Sequence, residues 1–456
     1  MSKILVTLGP VSLDDQSIKD FARYTGLFRL NGSHGSLDWH RSAVTKIREL
    51  VPDAFILLDV PGAKPRTNNT ELVTINKGDI VAFGEVESEF DGLSVKLTKP
   101  LPDLSSITLP TFSVNDGQFL FDTVQMNDAY IVGRSRGSFQ LLPKKGVNLP
   151  GSVYCEKLQL KICQDFIQSA NDLDVDGFGL SFIQNGGVVD ALRDVAGNRV
   201  LVSKIENSEG LKNVLEIILR SDAVMIDRGD LAAEIGFDAL YNAVEKITHE
   251  TKANGKPLIM ATENLESMSE RDTPSKSEVM SLAHSVSIGA DCVMLSEETA
   301  MSENGPYIVK WLSEFLEKSN ITVRNVVHSR KEEKYESIWR IIGEHRDIPV
   351  LLMSKSGYAL FNYMATQPDQ DVTLLTDNPR LRKIAKLFSK EIFVLSSKIE
   401  EEVPIETLGN IVKENSATLF KNSDQIAAVY VSKYVTGARA NCITLFDKSD
   451  FIGCAR

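Results

Sequence analysis

Short apolar runs that end on a polar residue or a glycine recur through the first two thirds of the chain. They are Lys3–Gly9, Gly26–Asn31, Ala54–Asp59, Gly177–Phe182, Val200–Glu206, Asp222–Asp227, Pro257–Thr262 and Asp291–Ser296. Continuous apolar character over so few residues predicts strands buried on both faces, as in a parallel sheet. Most are separated by stretches with apolar residues three and four apart, which predict helices over Asp38–Leu50, Leu158–Asn171, Leu211–Arg220, Ala239–Ala253 and Ser275–Ile288. Eight β-α units in series predict a closed (β/α)8 barrel within an α/β fold. A doubly wound open sheet is the alternative, and the count of eight favours closure.

One interval breaks this rhythm. Residues Pro61–Asn148 are rich in threonine, valine, glycine and proline and lack helical periodicity. ELVTI, DIVAFG, SITLP, AYIVGRS and SFQLLP read as short strands joined by Lys-Gly-Asp, Asn-Asp-Gly and Arg-Gly turns. The interval predicts an all-β domain inserted in a barrel loop, where it can serve as a lid. After the helical stretch Gly305–Ser319 comes a polar, charged passage, Ser329–Ser337, taken as the last boundary. Beyond it PVLLMS, VTLLT, EIFVLS, IAAVYVS and CITLFD alternate with helical stretches around Ala359–Thr366, Pro379–Phe388 and Glu401–Glu414, predicting an open-sheet α/β domain. The expected partition is therefore a barrel over 1–60 and 149–330, an insert over 61–148, and a C-terminal domain over 331–456.

Composition changes this picture little. At 456 residues the chain is too long for one core. With 43% hydrophobic and 25% charged residues it has the balance of a soluble globular protein. The net charge of −12 argues against general nucleic-acid binding. Five scattered cysteines without paired spacing read as reduced thiols of a cytoplasmic protein. No apolar run reaches membrane-spanning length.

Charge at strand ends is more informative. Val200–Glu234 holds two strand-like runs, the first ending in Lys204 and Glu206, the second in Asp227, Arg228 and Asp230. Such charges are expected at the C-terminal mouth, where α/β folds build sites. A lysine with two carboxylates there suggests a divalent metal and a phosphate. Solvated loop charges would be the favoured reading for either cluster alone.

An ordered set of motifs narrows the choice. LVTLGP (5–10), RLNGSHG (29–35), LLDVPGAKPRT (57–67), NDG (115–117), KKGVNLPG (144–151), LSFI (180–183), SKIENSEGLKN (203–213), RGDLAAEI (228–235), KPLIMATENLESM (256–268) and GADCVMLSEETA (289–300) run in the order found in pyruvate kinases. The chain resembles that family over nearly its whole length, with KIEN-x-EG followed by RGDL the most specific part. The resemblance implies a barrel, a β-rich domain after the third strand and a C-terminal α/β domain. It implies transfer of a phosphoryl group from phosphoenolpyruvate to ADP, giving pyruvate and ATP.

It also implies roles for individual residues. Glu206 and Asp230 would hold Mg²⁺ (or Mn²⁺), and Lys204 would steady the transferring phosphoryl group. Arg29 and Arg66 would face phosphates. Asn31, Ser33 and Asp59 fall at the monovalent-cation site, and His34 lies beside them in the phosphate pocket, although Ser33-His34-Gly35 also suits a helix N-cap and turn. Gly229 and Asp230 would present backbone N–H groups to the substrate carboxylate. Thr262 would take part in protonating enolpyruvate, Thr299 would hold the carboxylate, Ser181 would contact substrate, and Lys144 would meet nucleotide phosphates. A homotetramer is implied in the same way.

The chain departs from the family at several positions. Val60 replaces a threonine that helps bind potassium, and Lys64 replaces a glutamate, supplying a fixed charge near the monovalent site. Both imply activity that does not require K⁺. Asp227 replaces a small residue, Glu297 a glycine, Glu263-Asn264 a Gln-Met pair, and Gly32 a phenylalanine. One added carboxylate about 4 Å from an anionic substrate costs about 4 kcal/mol at an effective dielectric of ~20. These changes leave open a same-fold enzyme acting on another enol-phosphate or 2-oxo acid, or an inactive binding paralogue. SKSG (354–357) resembles an effector-phosphate loop of regulated members, but a structural helix cap is the favoured reading there.

Overall fold

In the computed structural model, residues 1–85, 90, 92–105, 107–324, 342–343, 345, 347–397, 405–431 and 442–452 are described. The charged passage Ser329–Ser337 lies outside them, as do the first residues of the helix read from Glu401.

The first three strands are β1 (Lys3–Thr7), β2 (Leu27–Asn31) and β3 (Phe55–Val60). An inserted run follows: β4 (Val73–Ile75), β5 (Ile80–Gly84), β6 (Leu93–Val95), β7 (Thr111–Val114), β8 (Phe119–Met126), β9 (Tyr130–Ser135), β10 (Phe139–Leu141) and β11 (Val147–Asn148). The chain then resumes with β12 (Gly177–Leu180), β13 (Val200–Ile205), β14 (Ala223–Asp227), β15 (Leu258–Ala261) and β16 (Cys292–Leu295). Strands β1–β3 and β12–β16 pair in parallel and close in the order β1-β16-β15-β14-β13-β12-β3-β2. All eight sequence-predicted strands take part. Helices beyond those read from periodicity include Asp15–Ala22 and Arg228–Ile235, each of eight residues, and the longer Gly186–Ala196.

The insert forms a six-stranded sheet, β11-β7-β8-β9-β5-β6, and a two-stranded β10-β4 ribbon. Phe83, Phe112 and Phe121 pack in its core with ring centroids 5.1–5.6 Å apart. The strand expected at SITLP is absent from 107–110. Strand β8 escaped the sequence reading because it alternates weakly, with one buried residue among eight; β7 is buried but only four residues long. The C-terminal sheet orders as β19-β18-β17-β20-β21, with β17 (Val350–Met353), β18 (Val372–Thr376), β19 (Ile392–Ser396), β20 (Gln425–Tyr430) and β21 (Cys442–Asp447). Gly357, in the left-handed region at φ 96°, caps the helix Tyr358–Ala365, and Ser354 Oγ accepts its N–H at 3.2 Å.

Strand alternation sorts the barrel into two apolar layers. Phe28, Leu30, Ile56, Leu58, Leu201, Ile205, Val224 and Ile226 face the surrounding helices. Leu5, Leu27, Leu57, Val202, Met225 and Met294 face inward and form one cluster with Leu352, Leu360 and Leu381 of the C-terminal unit. The lower end of the lumen is thus sealed by that unit.

Three aspartates repeat one arrangement along this seam, just before β12, β14 and β16. In each, Oδ2 accepts a strand N–H and meets a barrel cation, while Oδ1 faces the C-terminal unit. Asp176 takes Ile56 N–H at 2.9 Å and Arg48 at 2.7 Å, with Lys383 3.4 Å from Oδ1. Asp222 takes Leu201 N–H at 2.9 Å and Arg193 at 2.7 Å, with Arg380 at 3.7 Å. Asp291 takes Leu258 N–H at 2.9 Å and Lys252 at 2.6 Å, while Ser389 donates N–H and hydroxyl bonds to its Oδ1 at 3.0 and 2.9 Å. Removing such an acceptor strands a buried N–H and its cation. Asp222→Ala should therefore lower unfolding stability by about 2–3 kcal/mol, and Asp222→Asn by less, measured by urea titration.

Candidate active site at the barrel mouth

The same alternation that buries Leu27, Leu57, Val202 and Met225 points Arg29, Asp59, Lys204 and Asp227 into the upper lumen two residues later. These charges stand inside the barrel rather than on solvated mouth loops; their exposures are 5%, 2%, 5% and 7%. They survive burial by pairing with one another. Arg29 donates to Asp59 Oδ2 through Nε at 3.1 Å and Nη2 at 2.7 Å, and to Thr7 Oγ1 at 3.2 Å. Lys204 Nζ lies 2.6 Å from Glu206 Oε1, 3.4 Å from Asp227 Oδ2 and 3.5 Å from Asp59 Oδ2. Burial works against its ammonium, but the three carboxylates hold its pKa well above the usual lysine range. Burial likewise opposes ionisation of Asp59, yet Arg29 and Lys204 bring its carboxyl below the usual range.

Two backbone features make room for this layer. Gly179 leaves space for Asp59 Oδ1, which would lie 2.0 Å from a Cβ there. At Gly32 a Cβ would meet Asp59 O at 2.3 Å and Phe166 Cζ at 2.5 Å. The Phe166 ring, from the helix Glu156–Ser169, packs against Gly32 of RLNGSHG, where the family pattern has a phenylalanine.

Glu206 is fully buried, and its Oε2 accepts the Phe182 N–H at 2.6 Å, an amide turned inward by the left-handed φ of 56° at Phe182. Burial raises its carboxyl to about 8, against the pull of Lys204 and with the push of Asp227 and Asp230. Asp230, in the first turn of the helix Arg228–Ile235, forms an ion pair with Lys64. Burial opposes its ionisation, but Lys64 dominates and brings it down to about 2. Lys64 Nζ also lies 3.4 Å from Asp116 of the Asn-Asp-Gly turn and 5.2 Å from the Phe182 ring centroid. Gly146 admits that side chain, since a Cβ there would sit 2.8 Å from Nζ. Lys64 therefore stands against Asp230 and Asp116.

The loop after β15 is set by Arg228. Its guanidinium donates to the carbonyl oxygens of Ala261, Thr262 and Glu263, to Asn264 Oδ1 at 3.0 Å and to Ser281 Oγ at 2.6 Å. This holds Thr262 and Glu263 in left-handed backbone, φ 59° and 52°. Thr262 Oγ1 accepts the Gly229 N–H at 3.1 Å, and its one proton lies between Ala261 O at 2.8 Å and Asp227 Oδ1 at 3.2 Å.

Other anticipated residues lie apart from this core. Thr299 is fully buried and donates to Thr7 O at 2.8 Å, a lock between the last and first β-α units rather than a group open to a carboxylate. Ser181 is half-buried, its carbonyl oxygen accepting from Gln159 at 3.0 Å. Asn31 Oδ1 accepts Ser33 N–H at 3.1 Å, so the turn at Ser33-His34 precedes the true helix cap, Ser36. His34 is at the surface of the mouth, where nearby protein bulk and then Arg66 and Arg29 lower its imidazole pKa. Arg66 donates to Lys144 O at 3.0 Å, and Lys144, exposed, donates to Asn68 Oδ1 at 2.8 Å. Of the added carboxylates only Asp227 is buried; Glu263 and Glu297 are exposed. Val60 is apolar and fully buried.

The ligand oxygens of Glu206, Asp227 and Asp230 lie within 4.8 Å of one another. Hard carboxylate oxygens without sulfur or imidazole suit Mg²⁺ or Mn²⁺. Sequence reasoning missed the buried group behind them. Glu234 Oε1 accepts from Asn148 at 3.2 Å and the carboxylate also takes the Leu149 N–H, with the hydroxyls of Tyr154 and Ser152 paired beside it, while Asn148 Oδ1 is buried without a hydrogen-bond partner among the described residues. The only signal was the pairing of KGVNLPG with RGDLAAE.

The fold and site define the class: a closed (β/α)8 barrel with a buried lysine and carboxylate cluster at the C-terminal ends of its strands. The barrel-domain model of pyruvate kinase matches residues 1–309. Pyruvate kinase of Encephalitozoon cuniculi is 31% identical over 310 residues, 66% of this chain and 71% of that protein. That of Hypocrea jecorina is 31% identical over 346 residues, 72% of this chain and 64% of that one. The cytosolic isozyme of Nicotiana tabacum is 31% identical over 317 residues, 66% and 62% respectively. The chain therefore belongs to the pyruvate kinase family, matching about two thirds of these relatives' length. Among the described residues no helix is long and apolar enough to cross a membrane.

Burial raises the Glu234 carboxyl to about 7 from an ordinary 4.5. A folded-state pKa above the unfolded one contributes stability that is full below pH 4.5 and lost as pH rises through 7. Glu234→Gln should thus melt higher than wild type at pH 8, by the equivalent of about 1–3 kcal/mol, with the gap closing at pH 5.

Proposed function

We propose that this protein is a phosphotransferase of the pyruvate kinase type, moving the phosphoryl group of phosphoenolpyruvate to ADP. The observation that carries the reading is the convergence of Lys204, Glu206 and Asp230. Lys204 stands 2.6 Å from Glu206, and the Glu206 and Asp230 oxygens lie within one 4.8 Å cluster. Phosphoryl transfer needs charge neutralisation and alignment more than covalent chemistry. A divalent ion held by Glu206 and Asp230 supplies part of that neutralisation when bound. Lys204, a point charge fixed from below by three carboxylates, meets the phosphoryl oxygens from inside the barrel.

Arg29, oriented by Asp59 and Thr7, offers a second cation on the same side. The Thr262 hydroxyl, pinned by Arg228 and Gly229, is the group that passes a proton to enolpyruvate. The Gly229 and Asp230 amides open a helix toward an anionic substrate. Asn31, Ser33, His34, Arg66 and Lys144 line the rim toward the insert, which closes over the nucleotide. Lys64 supplies beside Asp230 the charge that makes monovalent cation unnecessary. A second reading, an inactive binding paralogue, is favoured by one observation: Lys64 already neutralises Asp230 without an ion.

A coupled assay for pyruvate formation separates these readings. The wild type should turn over with Mg²⁺, and Lys204→Ala should lose about 10²–10³-fold in kcat. Because three carboxylates lose their cation in that variant, its melting temperature is measured alongside. No pyruvate from either protein would favour the paralogue. Turnover should be the same with K⁺ or with a tetraalkylammonium salt; strong stimulation by K⁺ would refute the role given to Lys64.

A further inference from the structure

We propose that Asp227 is a third carboxylate ligand of the divalent site, allowing the protein to hold the ion before any substrate arrives. This rests on the reading above that Glu206 and Asp230 bind a divalent cation, and it concerns a residue that stands where the family has a small side chain.

Strand alternation commits Asp227 to the lumen, above Met225. Its ligand oxygen and those of Glu206 and Asp230 lie within 4.8 Å of one another. Around Mg²⁺, with ligands at roughly 2.0–2.1 Å, neighbouring oxygens stand about 2.9 Å apart and opposite ones about 4.1 Å apart, so a small contraction gathers all three. The oxygens of Asp227 are weakly held. Oδ2 is 3.4 Å from Lys204 Nζ, which is closer to Glu206, and Oδ1 competes with Ala261 O for the single Thr262 proton.

Glu206 Oε1 is fully buried with Lys204 Nζ, 2.6 Å away, as its one partner among the described residues, which leaves a lone pair for an ion, while Oε2 is committed to Phe182. Arg29, Lys64 and Lys204 face Asp59, Glu206, Asp227 and Asp230, and the buried Arg228 guanidinium also lies in the field of Asp227; a divalent ion would take over part of this internal pairing as counter-charge to the added carboxylate.

The test titrates Mn²⁺ alone into the full chain, without substrate. Free ion is read by electron paramagnetic resonance, and ion-bound water by proton relaxation. Wild type should bind one Mn²⁺. Asp227→Ala should weaken binding at least tenfold and show one more fast-exchanging water on the ion. Asp227→Asn, nearly isosteric and still carrying an oxygen, should fall between the two and serves if the alanine variant folds poorly. Equal weakening in both variants with no change in bound water would overturn the assignment, since Asp227 would then act by charge alone. Wild-type affinity in both variants would overturn it too, leaving Asp227 a partner of Lys204. Glu206→Gln and Asp230→Asn distinguish the levels: if they also keep wild-type affinity, the underlying metal site fails, and if only they lose binding, Asp227 alone is wrongly assigned.

Discussion

Everything at the mouth depends on the ion-pair lattice around Lys204. A parallel barrel has no polar lining to offer its lumen, so charges there exist only as a mutually neutralised set. Asp59 is the keystone, accepting both Arg29 nitrogens and facing Lys204 from the same oxygen. Its other oxygen, Oδ1, has no hydrogen bond and is tolerated because Gly179 gives way. Loss of the Asp59 carboxylate would leave Arg29 without its ion-pair partner and Lys204 with one carboxylate fewer.

The departures from the family pattern look less arbitrary against this lattice. Lys64 reaches Asp230 through space left by Gly146, and Asp116 joins from the turn of the insert, so one substituted side chain couples insert, barrel strand and helix. The Phe166 ring packs against Gly32, where the family pattern has a phenylalanine. Glu263 and Glu297 are exposed and add to the field at the rim, whereas Asp227 changes the composition of the core itself.

Much of this was legible beforehand. Eight strands could be read because a buried parallel strand is apolar throughout and ends abruptly in charge. Strands β17, β18 and β20 of the C-terminal sheet are buried in the same way, whereas β19 and β21, its edge strands, are partly exposed. Strand β8 was not legible, since a half-exposed strand such as FLFDTVQM mixes both patterns. Lys204, Glu206 and Asp230 could be named from motif order, but the depth at which Lys204 and Asp59 sit depends on inward alternation across several strands. The bond from Thr299 to the Thr7 carbonyl was not legible, because only the closing of the barrel brings the last β-α unit against the first. Arg228 as the clamp of the Thr262 loop, and the buried group of Asn148, Tyr154 and Glu234, depend on contacts between segments far apart in the chain.

The aspartate seam beneath the barrel has a mechanical consequence. Strand β14 starts one residue after Asp222, which is anchored beside Arg380, and ends at Asp227 within the ion cluster. Five residues of extended chain make a stiff strut of roughly 17 Å. A tilt at its foot is therefore delivered to its head, and the C-terminal unit rests its weight on a part that reaches the reacting end.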